Sequence, residues 1–257
     1  RLPLAGWQGA RLDGRQILIV GANGALGRAC ALAAAGRGAS VVLLARAGQD
    51  LRAPTRGSEL AIATLPGFGM RWLAPRLPLL SERHPELVVN FTARAEPFDL
   101  SAESFDAAIH FGRPDWPGGE HVFLFREQAI AVCAPDWAAR HALTDPAQLA
   151  DLPLLSLALR PTAWADWLRG QGLTLRPRAG SAVFDQFLMM AQAAVAGAGI
   201  ALIPRFLIAP ELAAGTLVSP FAHVLETQEA YYLVHRRDDA RPALAHFVAW
   251  LAEQAAG

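Results

Sequence analysis

Three glycines near the start of the chain have the spacing of a phosphate-binding turn. Gly21, Gly24 and Gly27 follow the apolar stretch QILIV and precede a stretch rich in alanine and leucine. Glycines allow a tight bend and a close approach of the backbone to a pyrophosphate, and the N–H groups at the start of the next helix attract its charge. Arg46 ends the following apolar stretch, where an arginine suits the 2′-phosphate of NADP. These four residues are the predicted cofactor-binding residues.

Small, polar and basic residues at the ends of three later strands could bind a small anion. Open α/β sheets bind ligands at the carboxyl ends of their strands, and an arginine there can clamp a carboxylate through two hydrogen bonds. The candidates follow the stretches LAIA, ELVVNF and FDAAIHF: Thr64, Pro66, Gly67 and Phe68, then Thr92 and Arg94, then Gly112 and Arg113.

Composition excludes several kinds of catalytic chemistry. The chain has no lysine, so a lysine Schiff base, a P-loop lysine and a lysine-assisted tyrosine are impossible. No nucleophile elbow or HExxH motif occurs, and the seven histidines lack metal-ligand spacing along the chain. We therefore predict no catalytic residues and no metal site. The 23 basic and 23 acidic residues balance, which gives no indication of a nucleic-acid surface.

Two segments of alternating strands and helices must position these residues. Residues 15–46 are predicted as strand, helix and strand. The stretch AGQDLRAPTRGS then interrupts the pattern, and the alternation restarts at Glu59. We predict a Rossmann-like βαβ fragment over residues 1–56 and a larger α/β domain over residues 57–257.

The two cysteines and the hydropathy indicate a cytoplasmic protein. Cys30 and Cys133 have neither metal-ligand spacing nor a disulfide framework around them, so both are expected to be reduced and buried. No apolar run approaches the ~20 residues of a membrane span. We therefore expect no membrane association.

Residues 12–51 read LDGRQILIVGANGALGRACALAAAGRGASVVLLARAGQDL and resemble the start of a short-chain dehydrogenase/reductase. That family's turn usually reads TGxxxGIG, from which Val20, Ala25 and Leu26 depart. The resemblance implies NADP binding. The family also uses a Tyr-x-x-x-Lys pair, in which the lysine lowers the tyrosine pKa, and this chain cannot form one. A complete reductase is excluded, and a truncated NADP-binding protein remains the alternative function.

Three later stretches carry a second resemblance. They read LAIATLPGFGMRWLAPRLPLLSERHPELVVNF, FDAAIHFGRPDWPGGEHVFLFREQAIAVCAPDW and FDQFLMMAQAAVAGAGIALIPRFLIAPELAAGTLVSPF. Residues 58–257 thus resemble the effector-binding domain of LysR-type transcriptional regulators, in the branch typified by the glycine cleavage system activator. The resemblance implies a two-lobed α/β fold like a type II periplasmic binding protein. Lobe I would hold about 58–130 and 222–257, lobe II about 131–221, and small effectors would bind between them.

On this resemblance, the strand-end residues above correspond to the family's effector-contacting loops. Phe184 and Asp185 would face the same cleft from lobe II. Other roles stay open for some of these residues. Pro66 and Gly67 could only shape a turn, and Arg113 could be a surface residue or an inter-lobe ion pair. Asp185 could be no more than a helix cap.

The sequence therefore favours a sensor that is not an enzyme, binds a small anionic metabolite and self-associates as a homo-oligomer. The helix-turn-helix and linker helix of a LysR-type regulator are not found, and the reductase-like fragment stands in their place. No direct DNA binding is expected from this chain alone. No cofactor is expected except NADP under the alternative function. A gene-fusion product without a selected function also stays possible.

Overall fold

The computed structural model describes residues 16–20, 40–44, 58–96, 98–100, 102–174 and 182–256. Its strands, in chain order, are β1 (Gln16–Val20), β2 (Ser40–Leu44), β3 (Glu59–Thr64), β4 (Val88–Ala93), β5 (Ala107–Gly112), β6 (Gly119–Val132), β7 (Leu154–Leu157), β8 (Val183–Phe184), β9 (Ile200–Pro204) and β10 (Val224–Arg236). Its α-helices are α1 (Pro66–Phe68), α2 (Leu77–Arg83), α3 (Pro135–Arg140), α4 (Ala163–Gly170), α5 (Phe187–Val195), α6 (Ala209–Ala213) and α7 (Pro242–Ala256).

The first two strands form a pair of their own. β1 and β2 run parallel, with Gln16 opposite Ser40. A parallel pair needs a crossover connection, which agrees with the predicted order of strand, helix and strand. Four residues predicted to bind NADP lie outside the described residues: Gly21, Gly24, Gly27 and Arg46. The Rossmann-like fragment and its cofactor therefore stay predictions.

The remaining eight strands form one mixed sheet. Its order is β4-β3-β5-β10-β6-β9-β7-β8. β6 and β10, with 14 and 13 residues, are antiparallel neighbours at its centre. β5 joins the sheet through β10, and β9 joins it through β6. We call the half built on β3, β4, β5 and α7 lobe I, and the half built on β7, β8, β9 and helices α3 to α6 lobe II. The two-lobed α/β fold is therefore as predicted.

Each lobe has its own apolar core. In lobe I, α1, α2 and α7 cover one face of the sheet, and the largest fully buried side chains there are Phe68, Phe247 and Trp250. In lobe II, Trp167 of α4 packs on one face and Met190 of α5 on the other. Helices on both faces explain why β9 is buried along its whole length.

The helical segment after β3 is irregular. Its first helix, α1, passes into a π-helical turn at Gly69–Leu73 and a 3₁₀ turn at Ala74–Arg76 before α2 begins. Pro75 and Pro78 explain the irregularity, because proline lacks an N–H and its ring clashes with the carbonyl four residues earlier. Two further 3₁₀ helices, Pro146–Asp151 and Arg205–Ile208, belong to lobe II.

The described cysteine is a packing residue. Cys133 directly follows β6, is fully buried and forms an isolated bridge with Val218. Burial raises the pKa of its thiol to about 11. A thiol held neutral in this way is a poor nucleophile, as expected for a structural cysteine. Among the described residues, no helix combines the length and apolar character that crossing a bilayer requires.

Gly199, between α5 and β9, occupies a position that only glycine fits. Its φ is +156°, and a Cβ built there would lie 2.4 Å from the carbonyl oxygen of Pro153. That oxygen also accepts a hydrogen bond from the Ile200 N–H at 3.1 Å, so moving the oxygen away would break this backbone hydrogen bond. We expect Gly199→Ala to lower the free energy of unfolding by more than the ~1–3 kcal/mol of a strained φ alone. Urea denaturation followed by circular dichroism measures the loss.

Gly172→Ala is the matched control for this prediction. Gly172 also has a positive φ, +72°, but a Cβ there would meet no atom within 4 Å. The Gly172→Ala variant should therefore show the cost of backbone strain without a clash between Cβ and a carbonyl oxygen. Equal losses in the two variants would contradict the role assigned to the Pro153 carbonyl.

Candidate functional site

Five of the predicted site residues lie along one edge of lobe I. The N–H of Arg94 donates to the carbonyl oxygen of Thr64 at 2.9 Å and so joins the ends of β4 and β3. Thr64 and Thr92 are buried. Gly112 ends β5, and Arg113 follows it with an exposed side chain. The structure therefore brings these strand ends together as predicted, while their contact with a ligand stays a prediction.

Pro66, Gly67 and Phe68 form α1, which packs against lobe II. A Cβ on Gly67 would lie 3.2 Å from the side chain of Leu207. The ring of Phe68 meets the ring of Phe206 edge-on, with centroids 6.1 Å apart. Phe68 is only 1% exposed and belongs to the core of lobe I. In this form of the protein its ring thus offers almost no surface to a ligand, and α1 serves as an inter-lobe contact.

The predicted clamp Arg94 is held by a neighbouring carboxylate. Its two terminal nitrogens donate to both oxygens of Glu103, at 3.0 and 2.9 Å. Its guanidinium also lies 4.8 Å from the ring centroid of Phe98. A ligand carboxylate would have to compete with Glu103 for this fork.

Phe184 and Asp185 lie at the sheet edge of lobe II. Phe184 is partly buried and packs against the core beneath α5. Asp185 is exposed. The N-cap of α5 is Gln186, and its side chain makes no capping hydrogen bond. Asp185 therefore does not occupy the cap position that was left open for it in the sequence.

The inter-lobe cleft contains a buried polar group that the sequence reasoning missed. Glu127 of β6 is 4% exposed, and both its oxygens accept hydrogen bonds from the guanidinium of Arg160. The hydroxyl of Tyr231, on β10, donates to Oε2 of Glu127 at 2.8 Å. The available signal was an acidic residue inside the long apolar strand that crosses between the lobes.

A β-bulge places Glu127 at this point. Gln128 is opposite Glu226 and Arg126 is opposite Ala230, so residues 227–229 of β10 are inserted opposite Glu127. A bulge bends its strand and redirects nearby side chains. Here the irregularity falls in the middle of the two crossing strands, where the lobes meet.

Arg160 connects the two lobes through aromatic rings as well as through Glu127. Its guanidinium carbon lies 4.1 Å from the ring centroid of Phe111 in lobe I and 4.9 Å from that of Phe187 in lobe II. Burial lowers the pKa of Arg160, but the charge of Glu127, the hydrogen bonds to Glu127 and a contribution from Tyr231 together outweigh burial, so the pKa is raised on balance. Burial, followed by the charge of Glu127, raises the pKa of Tyr231 well above its ordinary value. Tyr231 is therefore a neutral hydrogen-bond donor.

A small cavity lies beside the guanidinium of Arg160. Its volume is about 20 Å³, and its lining includes Arg160, Phe187, Trp164 and apolar residues of β6, β7 and β9. This volume suits about one water molecule and is too small for a metabolite.

A second ion pair joins the lobes on the side of α1. Arg71, in the π-helical turn, donates to Glu211 of α6 at 2.5 Å. Both side chains are largely buried, and neither Nε of Arg71 nor Oε2 of Glu211 has a hydrogen-bond partner. Buried atoms without partners are costly, so this contact holds less tightly than a fully satisfied pair.

A wider pocket of about 630 Å³ lies on lobe I between β5 and β6. Its lining includes Asp115, His110 and Trp116. The indole N–H of Trp116 donates to the Phe98 carbonyl at 2.9 Å, and its backbone N–H donates to Nε2 of His121 at 3.1 Å. Burial is the main cause that lowers the pKa of both His110 and His121. His110 is therefore a packed histidine.

Comparison with known proteins gives one family. The model of the LysR substrate binding domain matches residues 52–256. The HTH-type transcriptional activator AmpR of Citrobacter koseri is 34% identical over 197 residues, which cover 76% of this chain and 67% of that protein. The glycine cleavage system transcriptional activator of Escherichia coli K12 is 33% identical over 215 residues, covering 83% of this chain and 70% of that protein.

A solved structure shows a similar fold. The effector domain of the regulator AmpR from Pseudomonas aeruginosa superposes with a TM-score of 0.70 at 34% identity. The match covers 77% of this chain and 95% of that structure. The likeness therefore extends over nearly all of that effector domain.

Breaking the Glu127–Arg160 pair should destabilise the fold strongly. Removing one partner of a buried pair costs about 3–5 kcal/mol, because the other charge remains buried. Since Arg160 keeps 23% of its side chain exposed, we expect Glu127→Gln to lie near the lower end, about 3 kcal/mol. Urea denaturation measures this change in the free energy of unfolding.

Glu103→Gln provides the matched control, because Glu103 also holds an arginine through both oxygens. Its side chain is 35% exposed and that of Arg94 is 30% exposed. A solvent-exposed pair is worth about 0–1 kcal/mol. A cost for Glu127→Gln no larger than that for Glu103→Gln would refute the structural weight given to the buried pair.

The loop that carries Trp116 should loosen in acid. His121 must be unprotonated at Nε2 to accept the Trp116 N–H, and its folded pKa lies below the ordinary value. A depressed folded pKa means that the stabilisation is present above the unfolded pKa, about 6.5, and is lost as the pH falls through the folded value. Hydrogen exchange of the Trp116 amide, corrected for intrinsic rates, should quicken between pH 7.5 and pH 5.

His121→Phe removes the acceptor and serves as the comparison for this prediction. In that variant, we expect the Trp116 amide to exchange fast at both pH values. Unchanged protection in the unaltered protein at pH 5 would show that protonation of His121 does not control the loop.

Proposed function

The chain belongs to the LysR substrate-binding domain family, and from that premise we propose that its inter-lobe cleft binds a small anionic metabolite. The observation that carries this proposal is the position of Arg160. Its guanidinium lies between Phe111 of lobe I and Phe187 of lobe II. A ligand held there would touch both lobes at once, which is what a sensor of lobe position needs.

The donor set of Arg160 favours a carboxylate. A guanidinium has five N–H donors, and Glu127 accepts from two of its nitrogens. The remaining donors can serve a second planar anion in bidentate geometry. Arg113, exposed at the end of β5 next to Phe111, adds a second positive charge at the same edge. The flanking rings would contact the apolar part of such a ligand.

Entry of the ligand requires the inter-lobe contacts to rearrange. These contacts are the Arg71–Glu211 pair and the packing of Phe68 on Phe206. The proposed division of the lobes is about 58–130 with 222–257 and about 131–221. The separate apolar cores support two lobes, but Ala129, Ile130, Val224 and Leu225 pack in the cores of lobe II. We further propose that a change in the angle between the lobes alters a homo-oligomer of the regulator.

The proposal is a cytoplasmic sensor and not an enzyme. AmpR and the glycine cleavage system activator are transcriptional activators, which supports a regulatory role. The rival proposal is NADP binding by the N-terminal glycine turn, and the parallel pairing of β1 and β2 is the observation that favours it. The remaining predicted contacts stay part of the effector proposal: Thr64, Pro66, Gly67, Phe68, Thr92, Arg94, Gly112, Arg113, Phe184 and Asp185.

A thermal-shift screen of the whole chain tests the proposal. The panel contains small carboxylic acids and amino acids, each paired with the amide in which an uncharged group replaces the carboxylate. It also includes NADP. A ligand at a hundredfold excess over its Kd adds ~2.7 kcal/mol to stability, which raises the melting temperature visibly. We expect a carboxylate to raise it and the matching amide to have no effect.

Two arginine variants locate the site. Arg160→Gln should abolish the shift, and Arg113→Ala should weaken it without disturbing the fold, because Arg113 is exposed. Arg140→Gln is the control, since Arg140 is exposed at the end of α3 and is not among the predicted contacts. A shift that survives both Arg160→Gln and Arg113→Ala would place the ligand elsewhere. A response to NADP alone, lost on Arg46→Ala, would favour the rival.

A further inference from the structure

Two histidines and a glutamate from distant parts of the chain converge on the surface of lobe I. His84 and Glu86 lie between α2 and β4, and His246 lies in α7. Each offers one ligand atom, and these atoms all lie within 4.8 Å of one another. Their spacing along the chain predicted no metal site, because His246 lies far from His84 and Glu86 in the sequence. The fold brings the three residues together.

The three side chains meet at one oxygen of Glu86. Nδ1 of His84 lies 3.4 Å and Nδ1 of His246 lies 3.7 Å from this oxygen. The two imidazole rings stack with centroids 4.8 Å apart and an angle of 20° between their planes. A metal lies in the plane of each imidazole that binds it, so one ring has to turn about its side-chain bonds before both nitrogens can bind one ion. Two unprotonated ring nitrogens and a carboxylate oxygen then provide three donors for a cation.

We propose that His84, Glu86 and His246 form a Zn²⁺ site, with water as the fourth ligand. Zinc binds histidine nitrogen at about 2.0–2.1 Å in tetrahedral geometry, which places neighbouring ligand atoms about 3.4 Å apart. The two measured separations, 3.4 and 3.7 Å, already approach this edge length. Mg²⁺ and Ca²⁺ prefer sets made of oxygen, so two imidazoles select against them.

The site would connect two elements that cover the core of lobe I. Arg83, at the end of α2, already pairs with Glu253 of α7. His246 and Glu253 are seven residues apart, which places them on one face of the helix. A bound zinc ion would thus add a second link along the same seam and hold the C-terminal helix against the rest of the lobe.

Isothermal titration calorimetry of the full, tag-free chain tests the site. The protein is first treated with a chelator and then titrated with zinc chloride at pH 7.5. We expect one ion per chain and a higher melting temperature with zinc. His246→Ala and Glu86→Gln should each weaken binding at least tenfold.

Glu82→Gln is the matched control, because Glu82 is exposed on α2 close to the cluster but is not one of its members. It should bind zinc like the unaltered protein. The absence of a one-to-one isotherm would overturn the proposal, as would undiminished binding by Glu86→Gln. If His246→Ala altered the circular dichroism spectrum, the Glu86→Gln variant, which preserves side-chain size, would decide the outcome.

Discussion

The pairing of β6 with β10 is the constraint on which both lobes depend. These two strands are antiparallel neighbours over most of their length, and every other strand of the large sheet joins one side or the other. The two strands therefore connect lobe I directly to lobe II, and their register shifts between Glu226 and Ala230 and again between Tyr231 and Tyr232. Strands bend most readily at such irregularities, so a change in the angle between the lobes would fall there. The bulge at residues 227–229 is the described irregularity nearest the point where the lobes meet.

That bend contains a charge, which is unusual for the interior of a sheet. Burying the Glu127 carboxylate is costly unless its oxygens are satisfied, and Arg160 and Tyr231 together satisfy them. An apolar residue at the same place would pack without this cost and would hold no group in the cleft. The buried pair instead fixes a guanidinium between two aromatic rings that belong to different lobes. Its position in the fold thus couples the hinge to whatever binds Arg160.

The parts of the structure that follow local patterns were accessible from the sequence. Strand ends of the βα units, the long crossing strand and the two-lobed architecture follow from apolar runs, glycine and proline positions and the family resemblance. The Glu127–Arg160 pair and the His84–His246 cluster could not be predicted from the sequence, because each depends on residues brought together from distant segments. The irregular turns of residues 66–83 lie between these cases. Pro75 indicates an irregular helix, because proline cannot complete the hydrogen-bond pattern of an α-helix. It does not indicate that a π-helical turn would precede it.

The difference between the lobe interiors and the contact between them indicates where movement occurs. The interiors are close-packed, with side chains such as Trp167 and Phe247 fully buried, and packed cores move as rigid units. The contact is made of ion pairs and ring edges, and one of those pairs, Arg71–Glu211, leaves two buried polar atoms without partners. Breaking it exposes these atoms to water, which offsets part of the cost of opening. An anion bound at Arg160 would supply new interactions in the opened cleft, so a modest free energy of binding could shift the lobe angle.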